Sequence, residues 1–226
     1  MNSVAWPCMA PDGSGEEFAL VGGPHDAASR VLFVPALFEE ANRTRRMLVE
    51  TMRALADAGI ASVLPDLPGC NESLAPLDLQ SVETWRAAMA AAAGHFGATN
   101  VLTVRGGALL APGDLPGWNL EPTSGAKALR PMLRARTVAA HEEGRAETMD
   151  GLLAEGRDRG IELAGYRLGA AMVRNLEAAM RTDASAQTIL ALDDLGGAAL
   201  WLRSEPGEDA GLSTALAARI LADLAR

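Results

Sequence analysis

Thr103, Val104, Arg105, Gly106 and Gly107 are the residues of this chain with the most chemical content. They close a β-branched run, residues 101–104, and open a helix-compatible Ala/Leu run that ends at Ala111. A buried strand that meets paired glycines and then a helical run is the pattern of the sharp bend on which acyl-transfer enzymes raise a nucleophile, Gly-x-Ser-x-Gly. At the serine position stands Arg105. A guanidinium stays charged and cannot attack a carbonyl, so serine-esterase chemistry is excluded at this residue. A triad also needs an imidazole, and the three histidines are His25 in a Gly-Pro turn, His95 near a predicted helix end and His141 in a later helical block. None follows a late strand, so each reads as structural or solvent-facing.

Cys70 is the other candidate nucleophile, since a thiolate at the carboxyl edge of a sheet can attack a carbonyl. The bland reading is a small packed hydrophobe. Asp66 directly follows a predicted strand, where a carboxylate can bind or orient, yet Asp66-Leu67-Pro68-Gly69 is also good turn chemistry and the turn reading is preferred. Trp85, Trp118 and Trp201 read as packing residues.

Charge gives a second constellation. Arg43, Arg45 and Arg46 fall in the first turn of a predicted helix, where the macrodipole disfavours cations, and Glu39 and Glu40 are the partners at hand. One reading is an ion-pair network in which these glutamates fix the loop and clasp Arg105. The other is an anion pocket built from two helix N-termini, after Glu40 and after Arg105, with adjoining guanidiniums. Its ligand set is Ala36, Leu37, Glu39, Glu40, Arg45, Arg46, Asp66, Arg105, Gly106 and Gly107, and neither a cofactor nor a metal is called for.

These residues need a scaffold that gathers them. Residues 31–34 and 60–64 are continuous apolar runs closed by Pro35 and Pro65, the signature of strands buried on both faces. Helices are predicted over 42–58, with Gly59 as the cap, and over 82–96, with Gly97 closing it. Strand alternating with helix is α/β order. Right-handed crossovers then give an open, mostly parallel twisted sheet with helices on both faces. Ligands bind beyond the carboxyl ends of such strands, where the loops 36–46, 66–73 and 105–107 converge. The first thirty residues hold turn signals around one strand, residues 16–21, and read as an edge strand or hairpin. After a weak strand at 118–121, a helical block from Ala126 to about Met149 reads as a small cap, within an insertion at about 122–160. A strand candidate at 161–166 and a helix at 170–180 follow. The last strand candidate is residues 198–203, then a final helix at 212–224.

In bulk, 226 residues with 49% apolar and 4% aromatic content suit a single domain whose core is filled by Ala, Leu and Val. A net charge of −9 speaks against nucleic acid and anionic membranes as partners. With two cysteines, no basic-then-apolar leader and no spanning segment, the expectation is a cytoplasmic protein without membrane insertion.

The residues Leu32-Phe33-Val34-Pro35, Phe38-Glu39-Glu40-Ala41-Asn42-Arg43-Thr44-Arg45-Arg46-Met47 and Asp66-Leu67-Pro68-Gly69-Cys70-Asn71-Glu72-Ser73 resemble the exosortase A system-associated hydrolases, of the second type. Val104-Arg105-Gly106-Gly107-Ala108-Leu109-Leu110-Ala111, Trp118 with residues 122–125, Leu133-Arg134-Ala135-Arg136 and Ala164-Gly165-Tyr166-Arg167-Leu168 extend the likeness over most of the chain. The resemblance implies an α/β-hydrolase-like domain, found beside genes for exopolysaccharide production and protein sorting, in which an arginine at the bend is typical. Two departures stand out. Gly106 replaces an apolar residue, and the chain is expected to lack the last strand and the loop that carries a hydrolase histidine. Two functions follow. One is an ester or thioester hydrolase with oxyanion-type backbone near Ala36 and Leu37 and an unconventional nucleophile, Cys70 or an activated water. The other, which the missing serine and late histidine favour, is a non-catalytic descendant that binds an anionic or acyl ligand or a partner enzyme. An exposed sheet edge would allow a homodimer.

Overall fold

The computed structural model describes residues 1–8, 15–181 and 186–226. Its centre is a seven-stranded sheet made of β1 (Asn2–Cys8), β2 (Gly15–Gly22), β3 (Arg30–Val34), β4 (Ala61–Pro65), β5 (Asn100–Val104), β6 (Gly117–Leu120) and β9 (Gln187–Leu190). The order is β1-β2-β4-β3-β5-β6-β9; β2 pairs antiparallel with both β1 and β4, and the pairs from β4-β3 onward are parallel. Between β3 and β4 runs α1 (Glu39–Asp57), and between β4 and β5 runs α2 (Val82–Phe96). They cover opposite faces. Met47, Leu48, Met52 and Leu55 of α1 recur at helical spacing and pack with Phe33, Leu64, Leu102 and Val104. Trp85, Ala88, Met89 and Ala92 of α2 meet Leu32, Val34 and Val63 on the other side. Each fully buried Leu or Met contributes roughly 1.5–3 kcal/mol of transfer free energy. α2 is well delimited: Ser81 and Thr84 form a capping box, and Gly97 ends it in the left-handed region at φ 66°.

The segment between β6 and β9 contains α3 (Gly125–Glu142), α4 (Met149–Arg159), a separate hairpin of β7 (Ile161–Leu163) and β8 (Tyr166–Leu168), and α5 (Ala170–Ala178). This layer extends past the 122–160 boundary expected for the cap. The residues expected to form a strand over 161–166 instead build the hairpin, whose tight turn places Ala164 at φ 49° and Gly165 at φ 81°. After β9 come the single-turn α6 (Leu192–Leu195), a 3-10 turn at Leu200–Leu202 and α7 (Ala210–Leu224), which packs beside α1.

Three expectations are corrected here. The hairpin reading of the N-terminal residues holds, but it assigns β1 itself no range, because its seven residues include Pro7 and follow no clean alternation. Residues 198–203 are no strand: the edge strand is β9, no strand follows it among the described residues, and Trp201 in the 3-10 turn serves a different purpose described below. The run after Arg105 is no α-helix. It forms a 3-10 turn, Arg105–Leu109, because Pro112 follows too soon for a longer helix. The expected turn at residues 11–14 lies outside the described residues. No helix among the described residues is long and apolar enough to cross a membrane.

The central strands are joined by a buried polar ladder. Thr103 Oγ1 donates to Asn119 Oδ1 at 2.6 Å, Asn119 Nδ2 donates to Gln187 Oε1 at 3.2 Å, and Gln187 Nε2 donates to the carbonyls of Pro112 and Leu115 at 2.9 and 3.0 Å.

Gly107 is the tightest point of the bend after β5. A Cβ there would stand 2.4 Å from the carbonyl oxygen of Pro35 and 2.7 Å from that of Val34, both backbone atoms that cannot give way. Gly107→Ala is expected to lower the unfolding free energy by about 2 kcal/mol in urea denaturation, the overpacking penalty of a filled core. Gly113→Ala, whose added carbon meets nothing within 4 Å, serves as the control and is expected to leave stability nearly unchanged.

Candidate functional site

The bend after β5 has the geometry of a nucleophile elbow. Arg105 sits at φ 53°, a region in which a long side chain is strained and which the flanking small residues make possible. Gly106 is buried, and a Cβ there would come within 2.8 Å of Leu37 Cγ, so the glycine answers to the leucine opposite. The elbow lifts a guanidinium. Arg105 Nε and Nη2 donate to the Glu40 carboxylate at 3.2 and 3.4 Å, Nη1 donates to the carbonyl of Glu121 at 3.0 Å, and the guanidinium carbon lies 4.8 Å from the centre of the Trp201 ring. Both side chains of the pair are about one-fifth exposed, 18% and 20%. Charge-assisted contacts at this depth are strong and leave the guanidinium few free donors.

This arrangement decides between the two readings of the charged residues. α1 begins at Glu39 rather than at Asn42, so Glu39 and Glu40 occupy the first turn and satisfy the macrodipole, while the arginines follow behind them. Arg43 pairs with Glu39 at 2.9 Å and also donates to the carbonyl of Trp201; Arg45 reaches Asp66 at 3.3 Å; Arg46 pairs with Glu208. Every candidate cation for the anion pocket is thus held by a carboxylate. The second helix N-terminus is also missing, since Arg105–Leu109 is a 3-10 turn. Glu40 thus occupies the guanidinium on which the expected anion pocket of Arg105, Gly106 and Gly107 rests.

A cleft lies to one side of the elbow. About 630 Å³ in volume, it opens between the loops that follow β3 and β4 and the β7–β8 hairpin of the cap. Ala36, Phe38, Leu67 and Leu77 supply apolar wall, and Asn42, Asn71, Asp78, Glu162, Tyr166 and Arg167 supply polar groups. Of the expected site residues, Ala36 and Cys70 line it, whereas Leu37, Glu39, Glu40, Arg45, Arg46, Asp66, Arg105, Gly106 and Gly107 do not. Phe38 is strained at φ 55°, ψ −130°, and meets the Tyr166 ring edge-on at 5.3 Å, so the apolar wall and the hairpin fix one another. Arg167 has no hydrogen-bond or ion-pair partner among the described residues. The hairpin's contribution escaped the sequence reading; the signal for it was Ala164-Gly165 inside a short strand candidate, a two-residue turn that folds the run back on itself.

The wall that carries Cys70 hangs on two carboxyl groups. Asp66, buried at the end of β4, accepts from Asn71 Nδ2 at 2.8 Å as well as from Arg45, which makes it a loop support, in keeping with the turn reading. Glu17 of β2 is buried as well. Its Oε1 accepts from Ser73 Oγ at 2.8 Å, and that hydroxyl in turn accepts from the amides of Gly69 and Ala75, while Oε2 has no partner. Burial raises the Glu17 carboxyl above its ordinary range, the Ser73 hydrogen bond works against this, and the charge of Asp66 adds to it. Burial also pushes the Cys70 thiol up to about 12, with Asp66 and Glu17 contributing, so the thiolate needed for attack is scarce at neutral pH. His25 and His95 lie at the opposite end of the parallel strands from Arg105, and His141 is in the last turn of α3, so no imidazole reaches either the elbow or the cleft. Among the described residues no three His, Cys, Asp or Glu side chains gather as a metal site.

Comparison with solved structures agrees with the overall fold. A protein from Agrobacterium vitis S4 named as a hydrolase superposes with a TM-score of 0.52 at 14% identity, over 97% of this chain and 98% of its own. The fold is that of the α/β-hydrolases. Est1E from Butyrivibrio proteoclasticus, solved with ferulic acid, gives 0.52 at 15% identity over 78% and 74% of the two chains, and the thioesterase domain from the curacin biosynthetic pathway gives 0.51 at 13% over 98% and 100%. At these identities the likeness concerns the fold alone. No family model and no curated protein matches the sequence.

The raised Glu17 carboxyl carries a sign. A folded-state value above the unfolded one means that the native state holds the proton more tightly, so this stabilisation is complete below the ordinary glutamate range and is lost as pH rises through the folded value. Glu17→Gln keeps an acceptor for Ser73 and removes the ionisation. The variant is expected to gain stability relative to the parent as pH increases from about 4 to 7, read as melting temperature against pH. Parallel curves for the two proteins would contradict the assignment.

Proposed function

We propose that this chain is a non-hydrolytic member of the α/β-hydrolase fold, which binds a small acyl or anionic ligand in the cleft beneath the cap hairpin. The observation that carries this reading is Arg105: the elbow position that would deliver a nucleophile delivers a cation, and Glu40, the Glu121 carbonyl and the Trp201 ring hold it in place. Without an imidazole nearby, a substituted nucleophile has no base to activate it. The cleft has walls for an apolar chain in Phe38, Leu67 and Leu77, and Arg167 offers its unpaired guanidinium to a carboxylate or phosphate at the mouth. The resemblance to the exosortase-associated hydrolases supports a role in exopolysaccharide production or protein sorting, where binding an acylated or anionic intermediate is of use without cleaving it.

A second reading, ester or thioester hydrolysis through Cys70, keeps one favourable observation: the thiol lines the cleft. Its protonation weighs against it. The two separate in a direct assay with p-nitrophenyl butyrate and a butyryl thioester. The expected outcome is hydrolysis at the protein-free rate, the same for the parent and Cys70→Ala, together with a rise in melting temperature on adding butyrate that Arg167→Ala reduces. Turnover that disappears in Cys70→Ala would establish the thiol hydrolase instead. A melting temperature indifferent to butyrate in both proteins would remove the binding role.

A further inference from the structure

A second cavity, about 440 Å³, lies at the far end of the sheet from the elbow, between the start of β1 and the end of β2, the starts of β3 and β4, and the last turn of α2. Its inner wall is apolar: Val4, Val21 and Val63 face it from three adjacent strands and Phe96 from the helix. Its polar lining holds one permanent charge, that of Arg30, beside the neutral Asn2 and Ser62. Arg30, His25 and His95 line it, and no carboxylate does, in a chain that carries 29 acidic against 20 basic residues. The cleft beneath the hairpin, by contrast, is lined by Asp78 and Glu162 beside its single arginine.

Arg30 and the two imidazoles are held in place. Arg30 Nη1 donates to the carbonyl of Phe96 at 2.6 Å and Nη2 to that of His25 at 2.7 Å, so the guanidinium closes the carboxyl end of α2 and pins the turn that carries His25. That turn has no room to shift: Gly23 stands at φ 81°, and a Cβ there would come within 2.4 Å of the carbonyl oxygen of Ile60. The His95 ring packs edge-on against Phe96 at 4.7 Å and lies 5.8 Å from buried Trp6, which fixes its plane. Arg43, Arg45, Arg46 and Arg105 each meet a carboxylate, whereas Arg30 meets only carbonyl oxygens, so its charge is not neutralised by the protein. Guanidinium N–H groups that remain free, with two imidazoles alongside, suit an oxyanion, and three valines with a phenyl ring suit a short hydrocarbon chain.

We propose that this cavity is a second binding site, for an amphiphilic anion: an oxyanion head held by Arg30, His25 and His95, and a short apolar chain laid against Val4, Val21 and Val63. The site is independent of the cleft under the cap, and occupancy of one does not require the other.

Hexyl phosphate is the probe, with inorganic phosphate and hexanol as its two halves, titrated into the full chain while the imidazole Cε1–H resonances are followed by NMR. Saturable shifts of His25 and His95 with hexyl phosphate, with His141 unmoved, are expected, and each half-molecule should bind at least tenfold more weakly. Arg30→Gln and, separately, His95→Ala should each weaken hexyl phosphate at least fivefold; the exposed His95 gives a variant that folds even where loss of Arg30 disturbs the turn. Arg167→Ala should leave these shifts unaltered, which separates this site from the cleft. No saturable shift, equal movement of His141, inorganic phosphate binding as tightly as hexyl phosphate, or full affinity in His95→Ala would each overturn the proposal.

Discussion

The guanidinium of Arg105 lies between Glu40, the carbonyl of Glu121 and the ring of Trp201, and these contacts draw together the first turn of α1, the end of β6 and the 3-10 turn before α7. Those segments cross the carboxyl edge of the sheet, and Arg43, which donates to the Trp201 carbonyl, adds a second link between α1 and the 3-10 turn. A cation at the centre of that edge lets each of them end on a partner: a carboxylate, a carbonyl and an aromatic face. The strained backbone at Arg105 is retained because Gly106 and Gly107 leave no slack, with Leu37 and the Pro35 carbonyl pressed against them. The elbow here has become a tie. Its backbone geometry is that of a catalytic fold, and its side chain does structural work.

The open cleft lies to one side of the same tie. Glu40 is turned toward Arg105 at the end of β5, and the open cleft beside them is bounded by Phe38, the loop after β4 and the cap hairpin. The loop after β4 owes its shape to carboxyl groups beneath it: Asp66 holds Asn71, and Glu17 holds the Ser73 hydroxyl that gathers two amides. Half-satisfied buried acids are costly in a core of this kind, and here the cost falls on a wall of the cleft rather than on the sheet.

How far the sequence speaks depends on whether the governing signal is local. Paired glycines after a β-branched run announced the elbow, and prolines at 35 and 65 announced two parallel strands, because each marks a backbone constraint on its own residues. The ion pairing of Glu40 with Arg105 was readable as one of two alternatives, since complementary charges stood at loops that the topology must bring together. Other features depend on partners distant in sequence. β9 reads Gln-Thr-Ile-Leu, too polar and short to stand out, and is a strand only because β6 offers it a free edge. Residues 198–203 look more strand-like, yet Trp201 is drawn under Arg105 instead. The cleft was missed in its cap half because the hairpin's residues gain meaning only when seated over Phe38.

The ladder from Thr103 through Asn119 to Gln187 has a consequence for how the chain finds its fold. Parallel strands made of continuous apolar residues have little in their side chains to distinguish one alignment from the next. Three buried polar groups on neighbouring strands, each dependent on the next, change that. Sliding β6 or β9 by one residue turns Asn119 or Gln187 to the opposite face and leaves a desolvated carboxamide with nothing to bond. The ladder therefore works as a combination lock, adding little to the depth of the native well while raising the energy of near-miss alignments around it.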